Sequence, residues 1–371
     1  MLKRIYIDNY KCLVNFEIQL DALNLFLGEN GMGKSTVFEA LRLLQAFISG
    51  EGKTDELFPF RERCRWQNVL LQTYEIEIEN PESQGKYLYR LIIDHTKEGD
   101  RSRVKEEALS YQGKPLFRFE LGEAQLYHDD HTPGPKFPFD WSQSGLASIY
   151  SRPDNQHLTW FKRQIKNMVI AQIIPALMNE ETGDRGNPIL SRYLENFTSW
   201  YRAVSQDQGL VNRLINSLRE TIDDFDSFKF EPYGERYLLQ TRFYYQDLKQ
   251  GINYKFSELS DGQRMLIALY TLLEASADGN TILCLDEPEN FVSLAEIQPW
   301  LNTLRDLCEN GKTQAVLISH HPELIDLLAS QACWFERPNG LATRVSSLPD
   351  YEEGDLRISE LIARRWINTG G

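Results

Sequence analysis

Cysteine is scarce in this chain. There are five in 371 residues (Cys12, Cys64, Cys284, Cys308 and Cys333), and no two stand at C-x-x-C spacing. That excludes a zinc ribbon and offers no disulfide framework, and it fits a reducing compartment. No apolar run approaches the length needed to cross a bilayer, and "MLKRIYIDNYKCLVNFEIQL" lacks the apolar core of a signal peptide. A soluble, cytoplasmic protein with no membrane partner is expected. Positive charge is short as well, with 40 Lys and Arg against 54 Asp and Glu, a net charge of −14. A chain of that sign does not coat nucleic acid with its whole surface, although a local basic stripe stays open. Internal repeats and low-complexity linkers are absent. What is present, 42% hydrophobic and 25% charged residues, is the composition of a globular protein with a sizeable core.

Periodicity divides the chain into runs. "RIYI" and "FEIQL" read as strands around a polar turn, and "LNLFL" is a buried strand that leads through glycines into the helix "KSTVFEALRLLQAFI". Over residues 72–130, "YEIEIE", "YLYRLIID", "KPLFRFEL" and "AQLYH" predict an antiparallel β layer. Residues 142–226 turn helical, including "HLTWFKRQIKNMVIAQIIPALM" as a helical run, and "YLLQTRFYYQDL" is hairpin-like. "TILCLDEP", "TQAVLISHHP" and "CWFERP" then predict core strands of a mostly parallel sheet. The expectation is an α/β fold with three segments: 1–140, a first half with the β layer; 141–255, a helical lobe; and 256–371, a second half. "HTPGPKFPFD" marks the first boundary.

Three stretches carry chemistry. Gly28-Glu-Asn-Gly-Met-Gly33-Lys34-Ser35 satisfies G-x-x-x-x-G-K-[ST] between a strand and a helix. Its backbone N–H groups would wrap a polyphosphate, Lys34 would offset phosphate charge and Ser35 would ligate Mg²⁺. "TILCLDEPEN" ends a buried strand in two carboxylates, an expensive place for them unless a cation or catalysis requires it. Asp286 fits as a Mg²⁺ partner and Glu287 as the general base for an attacking water. Between them, "FSELSDGQRMLIALYTLL" begins a second helix with Ser260, Asp261 and Gly262. Ser260 or Asp261 would cap it, and its free N–H groups make another anion site. One set of phosphates does not fill both anion sites unless the fold unites them.

"LSDGQ" resembles the signature motif of ABC-type ATPases, normally L-S-G-G-Q. In that family the signature of one subunit covers the γ-phosphate held by the phosphate loop of another. "AVLISHHPELID" places His320 at the family's switch-histidine position. The four motifs in order resemble the RecF, OLD and SMC-like branch, in the form of a compact AAA-family ATPase without coiled coil or nuclease domain. "DEPENF" and "ISHHPE" resemble that branch's forms. The resemblance implies an ABC-type P-loop NTPase with a mixed or parallel central sheet, an antiparallel β layer and a helical lobe. It implies ATP and Mg²⁺, with Gly28, Asn30, Gly31, Gly33, Lys34, Ser35 and Thr36 on the nucleotide. Ser260, Gly262 and Gln263 would act across a homodimer or higher even oligomer. Ser35 and Asp286 would serve the metal, and Glu287 and His320 would be catalytic.

The implied activity is slow ATP hydrolysis coupled to dimerisation, in prokaryotic anti-phage defence or DNA repair. Only 51 residues follow His320, too few for a nuclease domain, so a separately encoded effector such as a nuclease is the expected partner. DNA contact stays open at the basic-aromatic stretches "RERCRW" and "WFKRQIK". An ATPase subunit of a membrane transporter and an ATP-held scaffold without turnover are the competing readings. The chain also departs from the pattern. Asp261 replaces a signature glycine and is expected to cap the helix, "ENFVSL" lacks the usual His-Pro, and the Mg²⁺-contacting glutamine falls to Gln143 or Gln67. "HDDH" at 128–131 reads as a solvated loop, and "ISELIARRW" as an amphipathic helix.

Overall fold

The computed structural model describes residues 1–96, 101–183, 189–277, 279–348 and 357–364. Its contacts divide the chain into two units, Met1–Met168 with Ile325–Gly371, and Val169–Leu324. No described helix is long and apolar enough to cross a membrane.

In the first unit, alternation of side chains builds one large antiparallel sheet. Its strands lie in the order Phe16–Gln19, Leu2–Asp8, Leu71–Glu79, Lys86–His95, Ser102–Tyr111, Lys114–Glu120, Glu123–Tyr127 and Pro133–Pro138. Leu71–Glu79 shows the cause: Tyr74, Ile76 and Ile78 are buried while Glu75 and Glu77 face outward. Tyr74 meets Phe58 at 5.4 Å, and Phe58 meets Phe47 of the helix Lys34–Ser49 at 5.5 Å. Truncating a buried ring of this kind costs about 3–5 kcal/mol, so this cluster fastens helix to sheet. Gln45 of the same helix donates Nε2 to the carbonyls of Ile165 (2.9 Å) and Met168 (2.6 Å), at the end of the helix Gln156–Lys166.

Two strands of this sheet were not legible in the sequence. Ser102–Tyr111 carries Glu106 and Glu107 side by side, which breaks the apolar alternation. Glu107 is fully buried and accepts from Tyr89 Oη (2.9 Å), Ser144 Oγ (2.6 Å) and the Gly145 N–H (2.8 Å). Burial raises its carboxyl pKa above the usual range. Pro133–Pro138, read as a boundary, is the last strand of the sheet, where a residue lacking an N–H does least harm.

The helical run expected through Met178 stops at Lys166. Val169–Ala171 is a strand of the second unit, because its β-branched residues pair in parallel with Leu283–Leu285. Pro175 then opens a short 3-10 turn. "HDDH" belongs to a polar loop: His128 pairs with Asp154 at 3.1 Å, and Asp129 accepts from the Gln156 and His157 N–H groups at the helix start. The C-terminal helix is Ile358–Ala363, tied by Ser359 N–H to Asp326 at 2.9 Å. Arg365 and Trp366 of the expected "ISELIARRW" lie outside the described residues.

His95 shows how pH acts on this unit. Gln72 gives Nε2 to the Asn9 carbonyl (3.0 Å), so its Oε1 faces His95 Nε2 at 2.8 Å. The imidazole is therefore neutral with its proton on Nε2, and Nδ1 is buried without a partner. Burial lowers its pKa from 6.5 to about 4, helped by the Arg63 charge. Between those values the unfolded chain takes up a proton that the folded chain refuses, so stability falls as pH drops from 6.5 towards 4. The expected loss is on the order of 2 kcal/mol. Comparing melting temperatures at pH 7 and pH 5 checks it: His95→Gln should flatten the difference, and an unchanged acid loss would reject this role.

The second unit is built on parallel strands, Val169–Ala171 beside Thr281–Asp286 beside Thr313–Ile318. All six residues of the last are buried, as continuous apolar runs in parallel sheets are. The helix Asp261–Ser276 is buried nearly all round. Glu274 on it takes Arg213 Nε (3.1 Å) and Ser217 Oγ (2.9 Å) from the helix Gln208–Thr221. Trp300 of the helix Leu294–Glu309 donates Nε1 to the Leu269 carbonyl at 3.0 Å. The stretch "YLLQTRFYYQDL" is the central strand, Arg236–Tyr245, of a three-stranded antiparallel sheet with Phe225–Tyr233 and Gln250–Lys255.

Candidate functional site

The phosphate loop lies wholly in the first unit. Leu23–Leu27 is buried and pairs in parallel with Ala332–Glu336, so it ends at a fixed height. Gly28 follows with φ 138°, and a Cβ there would stand 2.3 Å from the Phe335 carbonyl oxygen. Gly33, at φ 100°, would place a Cβ 2.5 Å from Thr343 Oγ1. Neither position tolerates a side chain, for backbone and packing reasons together. Gly31 and Asn30 are exposed at the crest, and Ser35 and Thr36 are half-buried at the helix start. Lys34 is 6% exposed and donates Nζ to the carbonyls of Gly28 (2.7 Å) and Glu29 (3.0 Å).

The helix Lys34–Ser49 starts on Gly33 with no side-chain cap and no acid in its first turn. With neither, the positive end of the helix dipole at the loop is the arrangement that suits a phosphate. A second set of contacts holds the loop from the C-terminal hairpin. Thr343 donates Oγ1 to the Met32 carbonyl (2.9 Å), and Arg337 donates Nη1 to the Gly31 carbonyl (3.1 Å). Sequence reasoning missed both residues, since they stand some 300 positions away in a stretch without a motif.

The other motifs lie in the second unit. Thr281–Asp286 delivers Asp286, 8% exposed, to the strand end. Glu287 turns to φ 52°, an uncommon backbone region for such a residue, with its N–H on the Ile318 carbonyl (2.8 Å). Asn290 Nδ2 donates to Glu287 Oε2 at 2.9 Å and fixes the carboxylate. Glu289, which no motif reading singled out, is 8% exposed. Its Oε1 accepts from Ser319 Oγ (2.6 Å) and from the His320 N–H (3.4 Å), while Oε2 is buried with no partner. Burial raises the Glu289 carboxyl pKa above its usual range. His320 itself is exposed, and Ser319 Oγ also accepts from the His321 N–H at 3.0 Å. Glu289 therefore joins the loop after Asp286 to the loop of His320.

Ser260 caps the helix Asp261–Ser276: its Oγ accepts from the Gln263 N–H (3.2 Å), and Gln263 Oε1 accepts from the Ser260 N–H (3.0 Å). The expectation that Asp261 caps this helix is corrected. Asp261 sits in the first turn and takes Arg264 Nη2 at 2.6 Å, while Arg264 Nη1 reaches the Pro175 carbonyl at 2.8 Å. The carboxylate that replaces a glycine thus has its own counter-ion one turn on. A Cβ on Gly262 would meet the Phe291 carbonyl oxygen at 2.9 Å, so that glycine lets the helix start pack on the loop after Glu287.

The donor sets suit the expected ligands. An uncapped helix start with a buried lysine fits a polyphosphate, and the Ser35 hydroxyl in the first unit and the Asp286 carboxylate in the second are each a hard oxygen donor of the kind Mg²⁺ takes. Of the glutamines considered for the metal, Gln143 precedes the loop clamped by Glu107, and Gln67 lies in an open arginine-rich pocket.

Comparison with known proteins agrees with this architecture. The "SmcHead bound to the C-winged helix domain of ScpA" has a TM-score of 0.55 at 11% identity, covering 94% of this chain and 98% of that one. The "SMC head domain from Thermotoga maritima" has a TM-score of 0.49 at 12% identity, covering 94% and 99%. No curated protein matches this chain. The family model described as "AAA domain, putative AbiEii toxin, Type IV TA system" matches residues 23–326 and takes in all four motifs. The chain belongs to that family of AAA domains, and its fold is similar to that of an SMC head.

Proposed function

We propose that this chain binds and hydrolyses Mg-ATP, and that two copies associate around two ATP molecules as a switch for a separately encoded effector. The setting that fits is prokaryotic anti-phage defence or DNA repair, and the toxin–antitoxin wording of the family description supports the former. The observation that carries the nucleotide reading is the helix at Lys34, which begins with neither cap nor acid over a loop closed on its own lysine. In this reading Lys34 and the loop N–H groups hold the phosphates, and Ser35 and Asp286 hold Mg²⁺, which offsets phosphate charge when bound. Glu287 takes the proton of the attacking water, and His320 senses the γ-phosphate. Ser260, Gly262 and Gln263 serve the nucleotide of the second copy.

Light scattering on Glu287→Gln tests the association. With Mg-ATP the mass should rise to a dimer or a larger even assembly, and Ser260→Arg should prevent the rise. Ser260→Arg also removes a helix cap, worth about 1 kcal/mol. Ser260→Asp is the companion, since it keeps a capping oxygen but brings negative charge towards a phosphate. It should fold normally and stay monomeric. A mass indifferent to ATP and to both substitutions would remove the switch and leave the ATPase alone.

A further inference from the structure

We propose that the loop at 60–68 binds single-stranded nucleic acid, seating a base on Trp66 and the neighbouring phosphates on Arg61, Arg63 and Arg65. The two basic-aromatic stretches of the sequence have different fates. In the helix Gln156–Lys166, Trp160 stacks on Tyr87 at 4.8 Å. Lys162 is spent on the carbonyls of Ala147 (2.9 Å) and Ile149 (2.7 Å). Packing accounts for that stretch. The loop at 60–68 instead lines an open cavity of about 570 Å³ whose wall includes all three arginines, Phe60, Trp66 and Asn68.

The cations there are not balanced. Arg61 has only a 3.8 Å contact with Glu62, and that carboxylate is also held by Lys11 at 3.1 Å. Arg63 and Arg65 have no carboxylate in ion-pair range among the described residues. Arg63 lies over the Phe60 ring at 3.8 Å and gives Nη1 to the Val69 carbonyl, a neutral acceptor, with Nε buried and unpartnered. Three arginines at alternate positions, in a chain of net charge −14, repel one another and have between them one carboxylate in ion-pair range among the described residues, Glu62, which Lys11 shares, and this suits a polyanion.

The ring is offered too. Trp66 is 42% exposed, and the Arg337 guanidinium stands 5.9 Å from its ring centre. An exposed indole beside arginines is a sequence-tolerant stacking platform. The loop is also built rather than loose. Asn9 accepts from the Cys64 N–H (3.2 Å) and donates to the carbonyls of Val69 (2.9 Å) and Leu71 (2.8 Å), while the Lys11 N–H reaches the Glu62 carbonyl at 2.8 Å. Because Arg337 also donates to Gly31, the platform adjoins the phosphate loop. A bound ATP would need a ring to stack on but not three further cations, so a strand with several phosphates is the better match.

Fluorescence anisotropy with labelled 15-nucleotide dT and rU strands tests this between 50 and 200 mM salt. Three phosphate contacts predict a log–log salt slope near −2, a loss of roughly sixteen-fold across that range. The double variant Arg61→Ala/Arg65→Ala should bind at least ten-fold more weakly, with a slope near −0.7. Trp66→Ala should lose affinity about five- to hundred-fold with the slope unchanged. Lys34→Ala and the double variant Arg163→Ala/Lys166→Ala should bind as wild type, which separates this site from the ATP reading. Binding of either strand sustains the proposal, and a preference identifies DNA or RNA as the source. Absence of binding at 50 mM salt would overturn it, as would loop variants that bind normally. So would loop variants that weaken a fluorescent ATP analogue alone, since the pocket would then serve the base of ATP.

Discussion

Lys34→Ala is expected to abolish ATP binding at micromolar nucleotide, a loss of at least about a hundred-fold in affinity measured by calorimetry. The Lys34 ammonium is buried and rests on the carbonyls of Gly28 and Glu29. A triphosphate must draw that ammonium from neutral acceptors to charged ones, which strengthens each bond. Alanine removes the only side-chain cation in the loop and leaves two carbonyls to find water, a stability cost on the order of 1–2 kcal/mol. A second readout comes from linkage. At a ligand concentration a hundred times Kd, wild type should gain about 2.7 kcal/mol of stability from ATP. The variant should melt at the same temperature with and without nucleotide. ATP-dependent stabilisation of Lys34→Ala equal to that of wild type would reject the phosphate loop as the binding site.

Much of this was legible because local patterns coincide with local structure. The strand Leu23–Leu27, its glycine turn and the helix from Lys34 are contiguous, and the three-dimensional reasons for Gly28 and Gly33 lie in the same few residues. The strand Thr281–Asp286 was equally plain, since an all-apolar run ending in two acids has few alternatives. What stayed hidden depends on partners distant in sequence. Ser102–Tyr111 reads as polar until Glu107 is seen to be satisfied by Tyr89, Ser144 and Gly145. Thr343 and Arg337 brace the phosphate loop from a hairpin with no periodic signal. Val169–Ala171 left the helical pattern because parallel pairing outweighed local propensity, a tertiary override that no window of ten residues contains. Asp261 differs: both cap and counter-ion are local, and the i, i+3 spacing to Arg264 would have revealed the pairing.

Glu287→Gln and Glu289→Ala are expected to impair hydrolysis for different reasons, and comparing them tests the geometry of the second unit. Glu287 is presented in a left-handed backbone conformation and aimed by Asn290, which is a cost the chain sustains around a functional carboxylate. Replacing it with glutamine keeps size and hydrogen bonding but removes the proton acceptor, so kcat should fall roughly 10²- to 10⁴-fold with ATP affinity unchanged. Glu289 is given a different role, because it is buried and its Oε1 is committed to Ser319 and the His320 N–H. Its task is to hold the histidine loop against the loop that carries Glu287. Alanine there orphans the buried Ser319 hydroxyl and should cost about 1–3 kcal/mol of stability. Because a small misplacement of a reacting group lowers rate steeply, kcat should also fall, on the order of ten- to a hundred-fold. Glu289→Gln retains an accepting oxygen and should recover most of both losses, whereas Glu287→Gln has no such conservative rescue. If Glu289→Gln were as inactive as Glu287→Gln, the buried carboxylate would have to carry charge in the reaction. Glu287 would then lose its standing as the base.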